Sequence, residues 1–441
     1  MRARVLLLLL AASLMISANG ARADVILTVG PNGQFQTINA ATTFADNNPN
    51  TYYDIQVTPG TYINDFSSVT TPMTIEAAPN SSGAVVLSAT EVLPNMKGII
   101  LNTSSLTVNG LTFQGAEIAP SDGGNGAGIR DQSTSGTSLI VKNSTFLNNQ
   151  EGILTGGSNN QETVQILNSQ FINNGNSTDP NGQEHALYVG DALSLLVNNS
   201  LFCGTLVGHD IKSRALSTTV NNSQIYVGTT DPANSACSAG TTSLGIDVPN
   251  GGQVNLSADQ IFQGPFNMNG AMVSYGEEGV PSNYIESFIV SDTTFSSSVS
   301  GSVGIQELLP NGTRTCLVPV QLSNTSFLGV TTPVNPPDCV ATPAQVIGSE
   351  PGSFMLVSCA LTGLFLVRWR PNGLISAVGA LAYRYSALIF WRRARNMIRQ
   401  SSRDTAMAQH SRGTWERTAP GQRGDLPRRS RLGLAGTPSR V

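Results

Sequence analysis

The chain has 441 residues and a formal net charge of −4, and only 12% of its residues are charged. That charge is unevenly split: from Asp24 to Glu350 six basic side chains stand against 25 acidic ones, a net of −19, whereas Pro351 to Val441 holds 15 arginines and three acids, a net of +12. An acidic body excludes nucleic acid as its partner, because phosphate binding needs clustered cations. Its abundance of Asn, Ser, Thr and Gly, with almost no helical periodicity, leaves either disorder or an all-β fold.

Met1 to Ala23 reads as a signal peptide: Arg2 and Arg4, an apolar run from Val5 to Ile16, and Ala21-Arg22-Ala23 as a small-x-small cleavage site. The run is too short to span a bilayer. The mature chain is therefore expected to begin at Asp24, outside the cytoplasm. Five cysteines fit export. Cys203 with Cys237 and Cys316 with Cys339 are candidate local bridges, although spacing does not fix connectivity. No CxxC or Cys/His cluster suggests zinc.

After the leader, Thr37 to Asp46 reads as a short amphipathic helix. A phrase then recurs along the body, two apolar residues, Asn-Ser or a near match, one residue, then an aromatic or aliphatic. It ends in turn on Phe113, Phe146, Phe171, Phe202 and Ile225, with weaker echoes at Phe295 and Phe327. From Asn143 the steps are 25, 31 and 23 residues. A second phrase keeps pace: Gly128-Ile129, Gly152-Ile153, Ala186-Leu187, Asp210-Ile211 and Gly245-Ile246. Its two long steps contain turn-rich stretches at 175–183 and 229–242, expected to bulge as loops.

Two strand phrases locked at one period describe a β-solenoid, in which each coil buries its apolar face only by stacking on the next. A β-sandwich gives closely spaced strands without such a register. The expected fold is all-β, a right-handed parallel β-helix of roughly a dozen coils over residues 24–340. The Thr37–Asp46 helix would close the first coil, whose apolar face and backbone would otherwise be open.

The opening Gly33-Gln34-Phe35-Gln36-Thr37-Ile38, followed by Ile55-Gln56-Val57-Thr58-Pro59-Gly60-Thr61-Tyr62, resembles the pectate-lyase-like right-handed β-helix superfamily. The resemblance runs from about Val25 to Phe327; it implies the fold strongly and the reaction weakly.

The body has two histidines, His185 and His209, one coil apart in the aligned stretches Glu184-His185-Ala186-Leu187-Tyr188 and Gly208-His209-Asp210-Ile211-Lys212-Ser213-Arg214. Strand alternation places Asp210, Lys212 and Arg214 on the outward face beside Tyr188, and His209, Ile211 and Ser213 on the other. Arg130, Asp247 and Glu151 are candidates to extend this surface. Tyr188, Lys212, Arg214, His185 and His209 are thus the candidate catalytic set. Cations on a strand neutralise a uronate carboxylate, and Lys, Arg or Tyr can take the C5 proton in β-elimination. Against this, the histidines would form a structural ladder and the cations would pair with Asp210 and Asp247.

Other enzyme classes of the superfamily fit less well. Polygalacturonase-like hydrolases carry an Asp pair that is not identifiable here, so the acid and base of glycoside hydrolysis are not evident. Asp191, Asp210 and Asp247 could form a calcium cluster only through folding, so Ca2+ is possible but not identifiable as a cofactor. Asp122-Gly123-Gly124-Asn125 reads as a plain turn.

At the C-terminus, Ser349-Glu350-Pro351-Gly352, the apolar Ser353–Val367 and Arg368-Trp369-Arg370 resemble a PEP-CTERM sorting signal, with Ser349 where the first Pro would stand. The resemblance implies a linker and motif over 341–352, a spanning segment over 353–370 and a sorting protease as partner. The Arg-rich residues 371–441 read as a disordered tail or as sequence outside the native product, with a helical hairpin anchor as the other reading. Two functions follow: a surface or matrix protein binding polysaccharide, or a polysaccharide lyase or hydrolase acting at the Tyr188/Lys212/Arg214 surface.

Overall fold

The computed structural model describes residues 24–341 apart from 135, 158, 160 and 176–183. The expected leader, the first insertion loop, the sorting motif, the spanning segment and the tail lie outside the described residues. Among the described residues no helix is long and apolar enough to cross a membrane.

The repeating phrases become three parallel sheets. One has 11 strands, from Val25–Val29 to Val320–Ser323. Another has ten, from Gly60–Ile63 to Ser326–Leu328, and the third has ten, from Ser67–Val69 to Thr332–Asn335. Each strand pairs with the equivalent strand of the coils before and after it, so the chain winds once per coil through all three sheets. The chain is a right-handed parallel β-helix.

Stacking in register builds columns of like side chains. Phe113, Phe146, Phe171 and Phe202 lie one above the other with ring centroids 5.0, 4.8 and 4.6 Å apart and nearly parallel planes. All four are fully buried. Ile225 and Ile261 continue the column to Phe295 and Phe327. The facing sheet must leave room for these rings. At Gly128 and Gly152 a methyl group would come within 2.8 Å of the Phe146 and Phe171 rings, which is why glycine recurs there.

The corners are held by polar ladders. Asn143, Asn168, Asn199 and Asn222 all take left-handed backbone angles, with φ between 49° and 51°, which Asn tolerates because its short amide can bond locally. Each donates its Nδ2 hydrogen to the Oδ1 one coil below, at 2.8–3.4 Å, and Asn109 at the bottom donates to Glu76 at 3.0 Å. Beside them the backbone N–H groups of Ser144, Ser169 and Ser200 donate to the hydroxyls of Ser169, Ser200 and Ser223.

The first coil is closed as expected. The helix Ile38–Asp46 starts at Thr37, whose hydroxyl accepts the Ala40 N–H, while Asp65 accepts those of Ile38 and Asn39. Such capping satisfies donors that the helix itself cannot. Ile38, Ala41 and Ala45 seal the apolar column. Both expected disulfides are present. Cys203–Cys237 ties the 229–242 loop to the body, and Cys316–Cys339 ties down the last coil.

Candidate functional site

On the sheet ending at Thr332–Asn335, register places Arg130, Leu154, Tyr188, Lys212 and Asp247 in one outward column. His185 and His209 belong to the neighbouring column, with rings stacked at 4.9 Å. The alternation expected for His209–Ser213 is therefore corrected. His209 shares the outward face with Lys212, and its Nε2 lies 3.4 Å from Asp247. Asp210 turns inward instead, at the level where adjoining coils carry Gly152, Ala186 and Gly245, and accepts the Thr205 hydroxyl at 2.5 Å. The same two-residue inward step recurs in the other coils of this sheet, at Gly128-Ile129, Gly152-Ile153, Ala186-Leu187 and Gly245-Ile246, so Asp210 and Ile211 both enter the column.

The expected pairing of the cations with Asp210 is corrected too. Lys212 Nζ lies 3.2 Å from Asp247 and 3.0 Å from Glu278. Arg214 makes a two-pronged contact with Glu278 at 2.6 and 3.1 Å. It also donates to the Tyr188 hydroxyl, and its guanidinium lies over the Tyr188 ring, 5.0 Å from the centroid. The opposite neighbour of Tyr188 is the His185 ring at 5.6 Å. Glu278 comes from the loop after Ala271–Tyr275, more than two coils above Tyr188, and folds back over the site.

These residues enclose a cavity of about 390 Å³ lined by Gly123, Asn125, Glu151, Leu154, Glu184, His185, Tyr188, Lys212, Arg214 and Glu278. Asp122-Gly123-Gly124-Asn125 is the expected turn and forms part of the rim. The structure thus joins Tyr188, Lys212, Arg214 and His185 in one pocket, with His209 behind Lys212. Arg130 lies two coils below Tyr188. Asp191 packs against the turn at Gly157, so Asp191, Asp210 and Asp247 do not converge as a calcium cluster.

The carboxyl groups differ sharply in character. Burial, with Glu184 adding its charge, pushes Glu151 well above the usual carboxylate range, although it accepts the His185 N–H at 3.0 Å. Burial acts on Glu278 in the same direction, but Arg214 and Lys212 outweigh it and hold that carboxyl below its ordinary value. Burial raises Asp247 to about 6 despite Lys212. Burial and the nearby cations keep both imidazoles neutral, His209 falling to about 3. Lys212 is raised, since Asp247 and Glu278 outweigh its burial. The pocket therefore sets one carboxyl displaced upward against one displaced downward, the contrast on which acid–base chemistry draws.

Glu278 and Glu184 are the residues that reasoning from sequence did not single out. Glu184 stood beside His185, but nothing marked it as facing the same cavity. Glu278 lies 64 residues from Arg214 in a loop, where no periodic signal reaches.

No protein-family model and no curated protein matches the chain. Among solved structures it is similar to the rice weevil pectin methyl esterase, at 11% identity and a TM-score of 0.34, covering 71% of this chain and 90% of that one. The carrot pectin methylesterase gives 12% identity and a TM-score of 0.34, covering 79% and 97%. The fold assignment stands on the strand register described above, and the chemistry on the side chains of the pocket.

Proposed function

We propose that this is an exported β-helix protein of the cell surface or extracellular matrix that binds polysaccharide in the Tyr188/Lys212/Arg214 pocket. The lining carries this reading. Three carboxyl groups, a guanidinium, an ammonium, a phenol and an amide converge on one cavity with a single large apolar side chain, Leu154. Sugar hydroxyls both donate and accept, so they suit a wall that offers both at close spacing. The leader-like N-terminus and two disulfides support an oxidising compartment. Because Lys212 and Arg214 are already matched by Asp247 and Glu278, the pocket has little spare positive charge for a uronate, and a neutral or weakly acidic sugar fits it better.

The test is calorimetric titration with a panel of plant and microbial oligosaccharides, on the wild type and Glu278→Ala. Saturable binding that weakens by about tenfold or more in the variant is expected. Equal binding by the two proteins, or none across the panel, would overturn the assignment.

A second reading, hydrolysis of a glycosidic bond, is favoured by the opposite displacement of Glu151 and Glu278. Glu151 would give its proton to the leaving oxygen, and Glu278 would take a proton from water or attack the sugar carbon directly. Reducing-end release by the wild type, absent in Glu151→Gln, is the expected result; no release from any ligand that binds would sink it.

A further inference from the structure

Behind the pocket, on the side away from Tyr188, three groups meet that sugar binding does not use. His209 lies on the strand His209–Ser213, Asp247 on Leu244–Val248, and Glu277 in the loop after Ala271–Tyr275. One imidazole nitrogen and one oxygen from each carboxylate lie within 4.8 Å of one another. We propose that this triad binds a divalent transition-metal ion of the zinc or manganese kind, through His209 Nε2, Asp247 and Glu277.

The first argument is separation. Ligands about 2.0–2.2 Å from a tetrahedral ion stand a little over 3 Å apart, and His209 Nε2 and Asp247 Oδ2 are 3.4 Å apart. The second argument is independent and concerns Asp247 itself. It is fully buried, and among the described residues no group donates a hydrogen bond to either of its oxygens. Its contact with Lys212 is an ion pair at Oδ2, which leaves Oδ1 without a donor among the described residues. A buried carboxylate oxygen without a donor is costly, and proteins normally satisfy it. A metal ion supplies the missing partner. One nitrogen and two carboxylate oxygens are a donor set that borderline metals accept, whereas calcium prefers six or more oxygens.

Lys212 is the group that would oppose a cation here. It has a second place to go, since Glu278 already holds its ammonium at 3.0 Å. Glu277 accepts the Ser274 hydroxyl at 3.1 Å and adjoins Glu278 in the same loop. Loading the triad would thus hand Lys212 over to Glu278 and the pocket.

The experiment uses the full chain, freed of metal with a chelator and dialysed. Zn2+ and Co2+ are titrated by calorimetry, with visible absorption read for Co2+. One equivalent is expected, with the absorption of a low-coordinate cobalt site and a rise in melting temperature. Asp247→Asn and Glu277→Gln should each weaken binding by about tenfold or more. If Asp247→Asn does not fold, Glu277→Gln decides, because Glu277 is only half-buried on a loop. No saturable binding by the wild type, undiminished binding in Glu277→Gln, or saturation by Ca2+ alone overturns the proposal.

Discussion

The imidazole of His185 accepts the backbone N–H of His209 through Nδ1 at 3.0 Å, while the two rings lie face to face at 4.9 Å. This fixes the His185 tautomer, because a nitrogen that accepts cannot also carry a proton. The ring proton must sit on Nε2. Long-range 15N–1H correlation spectra should show an unprotonated Nδ1 and a protonated Nε2 for His185. The opposite pattern would mean that the two coils do not meet in this way.

Because Glu278 bonds to both Arg214 and Lys212, its removal should disturb the pocket more than the loss of one hydrogen bond. Tyr188→Phe, which deletes only the hydroxyl held by Arg214, should weaken oligosaccharide binding less than Glu278→Ala does. Calorimetry on the two variants orders them directly. A larger loss in Tyr188→Phe would show that the ligand, not Arg214, is the main partner of that hydroxyl.

The phenylalanine column makes a sharp stability prediction. Phe171 touches rings above and below and is fully buried, so Phe171→Ala should cost about 3–5 kcal/mol. Gly152→Ala, which drives a methyl against the same ring, should cost about 1–3 kcal/mol. Denaturant unfolding measures both, and a neutral Gly152→Ala would show that the column is looser than described.

Several buried carboxyls make stability depend on pH in a definite direction. Burial, with Asp131 adding its charge, pushes Glu162 up to about 9, and burial raises Asp259 and Glu307 to about 7. In the unfolded chain these groups titrate near 4. Between those values the native state holds protons that the unfolded state has lost, so stability falls as pH rises. Calorimetric melting temperatures should decline from about pH 5 to about pH 9. Glu162→Gln should flatten the upper part of that decline. A melting temperature that rises across the window would contradict it.

The two disulfides close loops of 34 and 23 residues. Replacing Cys203 and Cys237 together by Ser should cost about 2–4 kcal/mol by loosening the unfolded chain's constraint. The Cys316/Cys339 double replacement should have a similar effect, with faster hydrogen exchange confined to the last coil. Unfolding midpoints unchanged by a reducing agent would count against both bridges.

Most of the fold was legible because the core is written vertically: Phe113, Phe146, Phe171 and Phe202 recur at the coil period, and apolar recurrence is what sequence displays best. Within the run from Phe113 to Phe327 one coil, that of Ile261, escaped notice. Its corner carries Ala258, at a left-handed φ of 57°, in place of Asn, and Asp259, which accepts the Ser223 and Ser257 N–H groups, in place of Ser. The geometry is kept while the letters change. The site was only half legible. Tyr188, Lys212 and Arg214 stood out through the scarcity of cations, but strict alternation misplaced His209 and Asp210 because it assumes a regular strand from its first residue. Glu277 and Glu278 arrive from a loop, and only folding brings them back across the coils.

The asparagine ladder has an electrical consequence. From Asn222 down to Asn109 every amide points its NH2 toward the N-terminal end of the column and its oxygen the other way. Five side-chain dipoles therefore add head to tail outside any helix, and each polarises the next. The positive end of that row falls on the Glu76 carboxylate, as an anion sits at the start of an α-helix. Glu76 is thus the counter-charge of a row four coils long, and its replacement by Gln would be felt as a weakening of amides up to Asn222 that it never touches.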